Sequence, residues 1–347
     1  MWFSYLFRRY LLATLVILVG LTLFYVGIDL LINLRKLPQS ANLVLLYIAW
    51  MSVVASKVTV PLSFVFGALL LLFSLTKNSE LIALQSLGFS RRRLIWPFAT
   101  FALIGATGLI LINASPLGYA SQRAKMMIGE GGDAKTNDLL FRYNHNYLYV
   151  GTLIPFEKKA TNVRIFEIKE GRLFRILKAQ EAQYDPLRER WILRDVEGID
   201  VRPEGSGINH IKLPELATLD GFRPRLLDTI SDPTAEFNLA DAFHALMVLR
   251  GQQLNDDPVR AVIYRHLIMP MLSVLLVVVM VARFPLSTRF VNITIYTAGA
   301  VLVTLLLWGV FMILAGLARS GAAAPELLLL LPFIFAVALT VRVYRRL

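Results

Sequence analysis

The sequence of 347 residues contains no cysteine. This absence excludes disulfides, thiol nucleophiles and zinc sites built on cysteine. The chain also lacks the GxxxxGK[ST] loop of P-loop proteins and the HExxH and GxSxG motifs of metalloproteases and serine hydrolases. Its four histidines are scattered without the spacing of metal ligands. We therefore predict a non-enzymatic chain with no catalytic residues, no metal site and no cofactor.

Acidic residues are scarce outside the middle of the chain. Only Asp29, Glu80 and Glu326 lie in the flanks 1–115 and 259–347, which hold 17 Lys and Arg. The middle holds 19 Lys and Arg against 21 Asp and Glu. Because a charge at the bilayer centre costs about 2.5 kcal/mol or more, the apolar flanks are typical of membrane spans. The net charge of +12 belongs to these flanks and does not indicate nucleic-acid binding.

Six apolar segments are long enough to cross a bilayer, which takes about 20 residues per helix. They cover residues 11–34, 43–76, 95–115, 261–282, 291–318 and 327–343. With the N-terminus inside, eleven Lys and Arg face the cytoplasm and three occupy the short outer connections. The positive-inside rule therefore places both termini in the cytoplasm and the long insert after the third span outside.

The insert changes from long apolar runs to short alternating stretches, which are typical of β-strands. These stretches cover residues 139–141, 147–150, 163–168, 173–177 and 191–193. Residues 169–172 and Asp185-Pro186 predict turns, and residues 238–250 predict a helix. Many short strands at regular spacing favour a sandwich, jelly roll or barrel.

The predicted fold is a polytopic α-helical membrane protein with six transmembrane helices and an inserted all-β, jelly-roll-like domain between helices 3 and 4. Residues 1–115 hold the first three helices and a short cytoplasmic helix near 79–88. Residues 116–258 form the exported β-domain, and residues 259–347 hold the last three helices.

The cytoplasmic loop between spans two and three has the pattern of a short amphipathic helix. Glu80 suits the positive end of a helix dipole, and Gly88 is suited to end the helix. Ser79 or Asn78 is a suitable N-cap. An apolar stripe is formed by Leu81, Leu84 and Leu87 together with Ile82. The helix either lies on the membrane, held by the three arginines at 91–93, or inserts into a soluble partner.

Charged residues cluster near the outer edge of the bilayer. Lys57 lies 20 residues before Lys77, about 30 Å along a helix. Asp29 reaches a similar depth, so an Asp29–Lys57 pair is plausible. Four further cations lie at the same level: Arg35, Lys36, Arg260 and Arg265. Snorkelling at helix ends explains Arg35, Lys36 and Arg260. Cations gathered at one depth would also bind an anionic lipid headgroup.

In this order, these features resemble the LptF/LptG family of lipopolysaccharide-export permeases. Residues 79–90 are similar to the coupling-helix signature of that family, with an acidic residue early and Gly eight positions later. Pro61-Leu62-Ser63 in span two and Pro285-Leu286-Ser287 after span four are also similar. Tyr184-Asp185-Pro186, followed by Trp191-Ile192-Leu193, is more like the LptG type than the LptF type.

The resemblance implies a multi-pass subunit of an ABC exporter in the inner membrane of a Gram-negative bacterium. Its partners would be a cytoplasmic ATPase dimer that receives Glu80 and its helix, a sibling LptF/LptG-type permease and a periplasmic jelly-roll bridge protein. Its cargo would be lipopolysaccharide, drawn from the outer leaflet among membrane lipids. Arg35 and Lys36 match headgroup-facing basic residues of LptG-type members, whereas Asp29 stands where another basic residue is expected.

Two other functions remain open at the level of the residues alone. One is a signalling or mechanotransmission protein whose exported β-domain senses a ligand and moves the inner loops. The other is a β-domain scaffold whose spans serve only as anchors. Lipid bound between the spans would favour export over both alternatives.

Overall fold

The structure, a computed structural model, describes residues 2–129, 136–144, 146–155, 157–169, 172–200, 209–224, 238–252, 254–287 and 291–347. The chain divides into two compact units. The first, here called the helical unit, comprises Met1–Ile128, Asn238–Ala240 and Arg260–Leu347. The second, the β unit, comprises Gly129–Phe237 and Asp241–Val259.

Long helices make up most of the helical unit. Before the insert they are α1 (Trp2–Ile32), α2 (Ala41–Lys77), α3 (Glu80–Ser86), α4 (Arg91–Ala114) and α5 (Ala120–Met127). After the insert come α7 (Asp257–Arg283), α8 (Ile293–Arg319) and a π-helical turn (Glu326–Leu330) that continues into α9 (Leu331–Arg345). The helix α6 (Leu239–Gly251) precedes α7, and nearly all of it belongs to the β unit. The 3₁₀ turns Leu34–Lys36 and Pro116–Tyr119 follow α1 and α4.

Six of the described helices are long and apolar enough to span a membrane: α1, α2, α4, α7, α8 and the segment Glu326–Arg345. The predicted six spans are therefore confirmed. The first helix begins at Trp2, before the start of the predicted span at residue 11, because Arg8 and Arg9 are good helix formers and join the apolar residues 2–7 to the span in one helix.

The spans differ in how much protein surrounds them. In the most apolar 18-residue stretch of each helix, 67% of α2 and 56% of α7 is buried by the rest of the protein, compared with 11% of α1. The corresponding stretches of α8 and Glu326–Arg345 are 22% and 17% buried. The helical unit is thus built around α2 and α7, while α1, α8 and α9 present apolar side chains outward.

Close packing joins α1 to α2. A Cβ on Gly67 of α2 would lie 2.6 Å from Thr14 Oγ1 and 2.8 Å from Thr14 Cα of α1. Tyr10 donates a hydrogen bond to the Phe64 carbonyl at 2.7 Å. Small residues let membrane helices approach at backbone distance, and polar side chains then bond across the contact. Only a glycine fits at position 67 without moving α1.

The β unit contains one six-stranded antiparallel sheet in the order β1 to β6. The strands are β1 (Thr136–Tyr143), β2 (Asn146–Ile154), β3 (Lys159–Lys169), β4 (Arg172–Asp185), β5 (Arg190–Asp200) and β6 (Asn209–Thr218). All five predicted strand segments lie within β1 to β5, and the inserted β-domain of the predicted fold is confirmed. The described strands follow one another as a meander, without the Greek-key connections of a jelly roll.

The predicted turns and helix of the insert can be compared with the structure in two of three cases. The backbone N–H of Leu187 donates to Asp185 Oδ1 at 2.9 Å, which makes the predicted Asp185-Pro186 turn. The helix expected over 238–250 is α6, Leu239–Gly251. Glu170 and Gly171, the central residues of the other predicted turn, lie outside the described residues.

The sheet curls around a buried aromatic interior. Phe222, fully buried, stacks on Phe141 of β1 with ring centroids 5.7 Å apart. Its carbonyl accepts a hydrogen bond from Trp191 Nε1 of β5 at 2.7 Å. In a flat sheet, β1 and β5 would lie about 19 Å apart, at about 4.8 Å per strand. One residue touches both strands, so the sheet is strongly curved and Phe222 closes its interior.

An ion-pair network ties α6 to the turn between β4 and β5. Arg223 donates to Glu189 Oε1 at 2.7 Å and to Asp241 Oδ1 of α6 at 2.8 Å. The hydrogen bond from Arg223 lowers the pKa of Glu189; burial opposes this effect, and the charge of Arg223 adds to it, so that the pKa lies below its ordinary value. The carboxylate is therefore ionised whenever the unit is folded near neutral pH.

Candidate functional site

The predicted cytoplasmic helix is α3, Glu80–Ser86, a two-turn segment between α2 and α4. Gly88 has φ of +86°, and its freedom to adopt this conformation ends the helix as expected. Ser79 occupies the N-cap position with φ of 59° but makes no side-chain cap hydrogen bond. The expectation of a capping side chain is therefore wrong, because the left-handed backbone of Ser79 differs from the extended one that caps use.

The predicted apolar stripe of α3 is divided between the interior and the surface. Leu81 is 4% exposed and lines, with Leu6, Leu75 and Leu94, a void of only about 10 Å³. Leu84 is partly buried against the same core. Leu87 is 74% exposed. Leu81 therefore positions α3, while a partner would meet Leu87 and Ile82, the two exposed members of the stripe.

Glu80 is held by the start of α1. Arg9 Nη1 and Tyr5 Oη donate to Glu80 Oε2 at 2.6 and 2.8 Å, and Asn78 Nδ2 donates to Oε1 at 3.4 Å. Burial raises the pKa of Glu80, but the hydrogen bonds from Tyr5 and Asn78 and the charge of Arg9 outweigh it and lower the pKa below its ordinary value. Glu80 is accordingly an anion with protein partners.

Two of the three arginines after α3 bind the ends of other helices. Arg91 Nη1 donates to the Ala282 carbonyl of α7 at 2.8 Å, and Arg92 Nη2 donates to the Arg345 carbonyl of α9 at 3.1 Å. Carbonyls at a helix C-terminus carry partial negative charge and are favourable acceptors for cations. Lipid phosphate is therefore not needed to explain Arg91 and Arg92.

At the end of the helical unit remote from α3, here called the remote end, Asp29 joins α1 to α2. Its carboxylate accepts hydrogen bonds from Tyr47 Oη at 2.5 Å and from Asn33 Nδ2 at 3.3 Å. Lys57 donates instead to the Gly118 carbonyl at 2.9 Å. The predicted Asp29–Lys57 pair is not among the ion pairs of the described residues. The hydroxyl of Tyr47 binds the Asp29 carboxylate, and Lys57 binds a backbone carbonyl.

Arg260 of the predicted cluster also has a protein partner. Its guanidinium pairs with Glu326 at the start of the π-helical turn, and Tyr264 Oη donates to the same carboxylate oxygen at 3.0 Å. The pair joins α7 to the start of the last span. Arg260 therefore stabilises the remote end, and its charge is largely compensated there.

The remaining predicted cations of the remote end are more accessible. Arg35 and Lys36 have exposed side chains on the 3₁₀ turn after α1, and Arg265 is half-buried in α7. The exposed Arg123 of α5 lies over the Trp50 ring, 4.6 Å from its centroid. Arg123 escaped the sequence interpretation because it was assigned to the exported domain, whereas α5 packs on α2 through Ala124 and Ile128.

Both ends of the helical unit thus carry polar groups at the positions that the sequence indicated. Comparison with known proteins shows the family to which the chain belongs. The family model described as lipopolysaccharide export system permease LptF/LptG matches residues 4–346.

The chain belongs to the LptF/LptG family.

A relative is the lipopolysaccharide export system permease protein LptG of Haemophilus influenzae, 23% identical over 307 residues that cover 84% of this chain and 81% of the relative.

Membership in LptF/LptG agrees with a chain that is a permease subunit and not an enzyme. In the described part of the chain, no group of three or more His, Asp or Glu side chains is placed to hold a metal ion. Sequence reasoning missed the partners of Glu80. One available signal was the four-residue spacing of Tyr5 and Arg9, which places both on one face of α1.

Proposed function

We propose that this chain is a permease subunit of an ABC exporter that extracts lipopolysaccharide from the outer leaflet of the inner membrane and passes it to a periplasmic bridge protein. The observation that carries the proposal is the LptF/LptG family match over nearly the whole chain, together with the surface that α3 exposes. In this proposal α3 is the coupling helix, and the ATP is hydrolysed by a separate cytoplasmic ATPase dimer.

The exposed surface of α3 supports an inner partner. Ile82 and Leu87 are 43% and 74% exposed, while Leu81 anchors the helix from below. A short helix that is fixed on one side and apolar on the other suits insertion into a groove. Glu80, Leu84 and Gly88 then set the position and length of the inserted helix.

The remote end supports an outer cargo. Arg35 and Lys36 are exposed on the 3₁₀ turn after α1, and Arg123 is exposed on α5, which packs on α2. Guanidinium and ammonium groups form strong charge-assisted hydrogen bonds with phosphate. We assign headgroup contact first to Arg35 and Lys36 and then to Arg265. Asp29, Lys57 and Arg260 serve mainly to hold the helices that carry these cations.

The remaining parts of the proposal concern the sibling permease, the bridge protein and the sides of the membrane on which the β unit and the termini lie. The outward apolar faces of α1 and α8 suit a sibling permease that completes a cavity for acyl chains. The β unit would lie in the periplasm, with both termini in the cytoplasm, so that its sheet continues into the bridge. The named H. influenzae relative supports the G-type assignment for this chain.

The proposal is tested by purifying the complex from native membranes and measuring its mass by mass spectrometry of the intact complex. We expect an ATPase dimer, a second permease and bound lipopolysaccharide. Leu87→Asp should weaken retention of the ATPase about tenfold, as loss of an interface anchor does. Leu187→Asp, on a 94% exposed side chain of the β unit, is the matched control and should leave it unchanged. A complex without ATPase and without lipid would contradict the proposal and favour the signalling alternative.

A further inference from the structure

The helix α6, which follows the β-sheet, has one buried side and one exposed apolar side. Ala242, Ala245 and Leu249 are buried along the first side. The second side carries Phe243 and Met247, which are 45% and 68% exposed. These two side chains are one helical turn apart and project together. Single exposed apolar residues are ordinary, but neighbouring ones on a helix indicate a contact with lipid or protein.

Polar groups border this exposed side, here called the α6 apolar face (Phe243 and Met247). Arg250, three residues after Met247, has a side chain that is 62% exposed and pairs with Asp256 at 2.9 Å. On another side of the helix, Asp241 is held by Arg223. An apolar stripe with a basic residue at its end is typical of a helix that lies in a membrane interface. The long basic side chain then reaches towards the lipid phosphates.

The start of α6 is fixed at the remote end of the helical unit. Asn238, directly before α6, is buried, and a Cβ added to Gly118 would lie 2.7 Å from its Cβ. Gly118 lies in the 3₁₀ turn after the span α4, and its carbonyl accepts a hydrogen bond from Lys57 at 2.9 Å. All three residues belong to the helical unit. The helix α6 therefore begins at the level where the span α4 ends.

The end of α6 is tied to the same level by a short connection. Residues 252–256 lead from α6 to α7, and Arg260 of α7 pairs with Glu326 at the start of the last span. At about 3.5 Å per residue this connection reaches about 20 Å when extended. The helix itself is about 20 Å long. No part of α6 can therefore lie further from the remote end than about its own length.

We propose that α6 lies on the outer leaflet of the membrane, with Phe243 and Met247 in the boundary between headgroups and acyl chains and Arg250 among the phosphates. The partner is the surface of the phospholipid bilayer and not the exported lipid, so the inference goes beyond the proposed function. The contact holds the return of the chain from the β unit to α7 at the membrane surface.

Lipid-borne quenching tests this contact in the permease alone. Because the chain has no cysteine, Phe243→Cys and Met247→Cys can each be labelled with bimane. The protein is placed in nanodiscs of phosphatidylethanolamine and phosphatidylglycerol without lipopolysaccharide, which keeps cargo out of the measurement. Interfacial helices bury their apolar faces about 5–10 Å into the boundary, so a phospholipid with a nitroxide high on its acyl chain should quench both labels at least about twofold.

Two further positions calibrate the quenching. Leu31→Cys, at a 74% exposed position near the end of α1, should be quenched by the same lipid. Leu187→Cys, at a 94% exposed position between β4 and β5, should not be quenched. Adding Phe243→Glu to Met247→Cys should reduce its quenching towards the Leu187→Cys value, because a carboxylate disfavours burial in lipid. Leu187→Glu is the matched control and should leave the quenching of Met247→Cys unchanged.

The result decides between lipid and the other occupants of the α6 apolar face. Labels that ignore the nitroxide lipid but are quenched by iodide from the water would overturn the proposal. Labels that become shielded from iodide only in the full complex would also overturn it, since the face would then meet a protein partner. Quenching that persists unchanged with Phe243→Glu would show that the helix is held near lipid by the chain alone and would equally refute the contact.

Discussion

Replacing Phe222 with alanine should lower the free energy of unfolding of the β unit by about 3–5 kcal/mol, the usual cost of truncating a buried aromatic ring. Phe222 is fully buried, contacts the rings of Phe141 and Tyr143 in β1, and receives the indole hydrogen bond of Trp191 in β5. Its ring joins distant strands of the curved sheet. The change removes contacts on both sides and leaves a cavity that the sheet cannot readily close.

The loss is measured by thermal unfolding of the full-length protein in detergent, followed by the signal of the β unit. A decrease of roughly 10–20 °C in its midpoint corresponds to that free energy for a unit of this size. Leu187→Ala is the matched control, because Leu187 is 94% exposed in the turn between β4 and β5 and should change the midpoint little. Equal midpoints for both variants would show that Phe222 does not close the sheet.

Replacing Gly67 with alanine should destabilise the helical unit by about 1–3 kcal/mol, as overpacking does. The new methyl group would lie 2.6 Å from Thr14 Oγ1 and 2.9 Å from the Thr14 backbone nitrogen. Backbone atoms cannot rotate away, so α1 must move from α2. That displacement should also reduce lipopolysaccharide release, because α1 carries Arg35 and Lys36 at its far end.

The matched control for Gly67 is Gly20 of α1, where an added Cβ would have no atom of another part of the protein within 4 Å. Gly20→Ala should leave stability unchanged or raise it slightly, because alanine favours the helix by up to about 1 kcal/mol. The two variants make the same chemical change in the same unit. In detergent, Gly67→Ala should lower the thermal midpoint relative to the wild type, whereas Gly20→Ala should leave it unchanged or raise it slightly. A Gly67→Ala midpoint at or above the wild-type value would contradict the close α1–α2 packing.

The sequence predicted the elements well because each is determined by local composition. Span length follows from apolar runs, strand positions follow from alternation, and the end of α3 follows from Gly88. The predicted domain limits at 115 and 258 rested on composition alone and stay a prediction, while the helical unit continues to Ile128.

The partners of the charged residues could not be predicted in the same way. Charge and depth alone favoured Asp29 with Lys57, but a hydroxyl from Tyr47, 18 residues away in sequence, binds Asp29. Likewise Glu80 meets Arg9 across 71 residues of sequence. Which side chain reaches a carboxylate depends on how helices rotate and cross, and six spans allow many arrangements with the same hydropathy pattern.

The central claim is that α3 faces the cytoplasm while the β unit is exported, so that energy supplied inside acts on cargo outside. Since the chain has no cysteine, single cysteines can be labelled without background. In spheroplasts, a membrane-impermeant maleimide should label Leu187→Cys at once and label Leu87→Cys only after lysis; both positions are exposed. Labelling of Leu87→Cys in intact spheroplasts, with Leu187→Cys protected, would contradict the account.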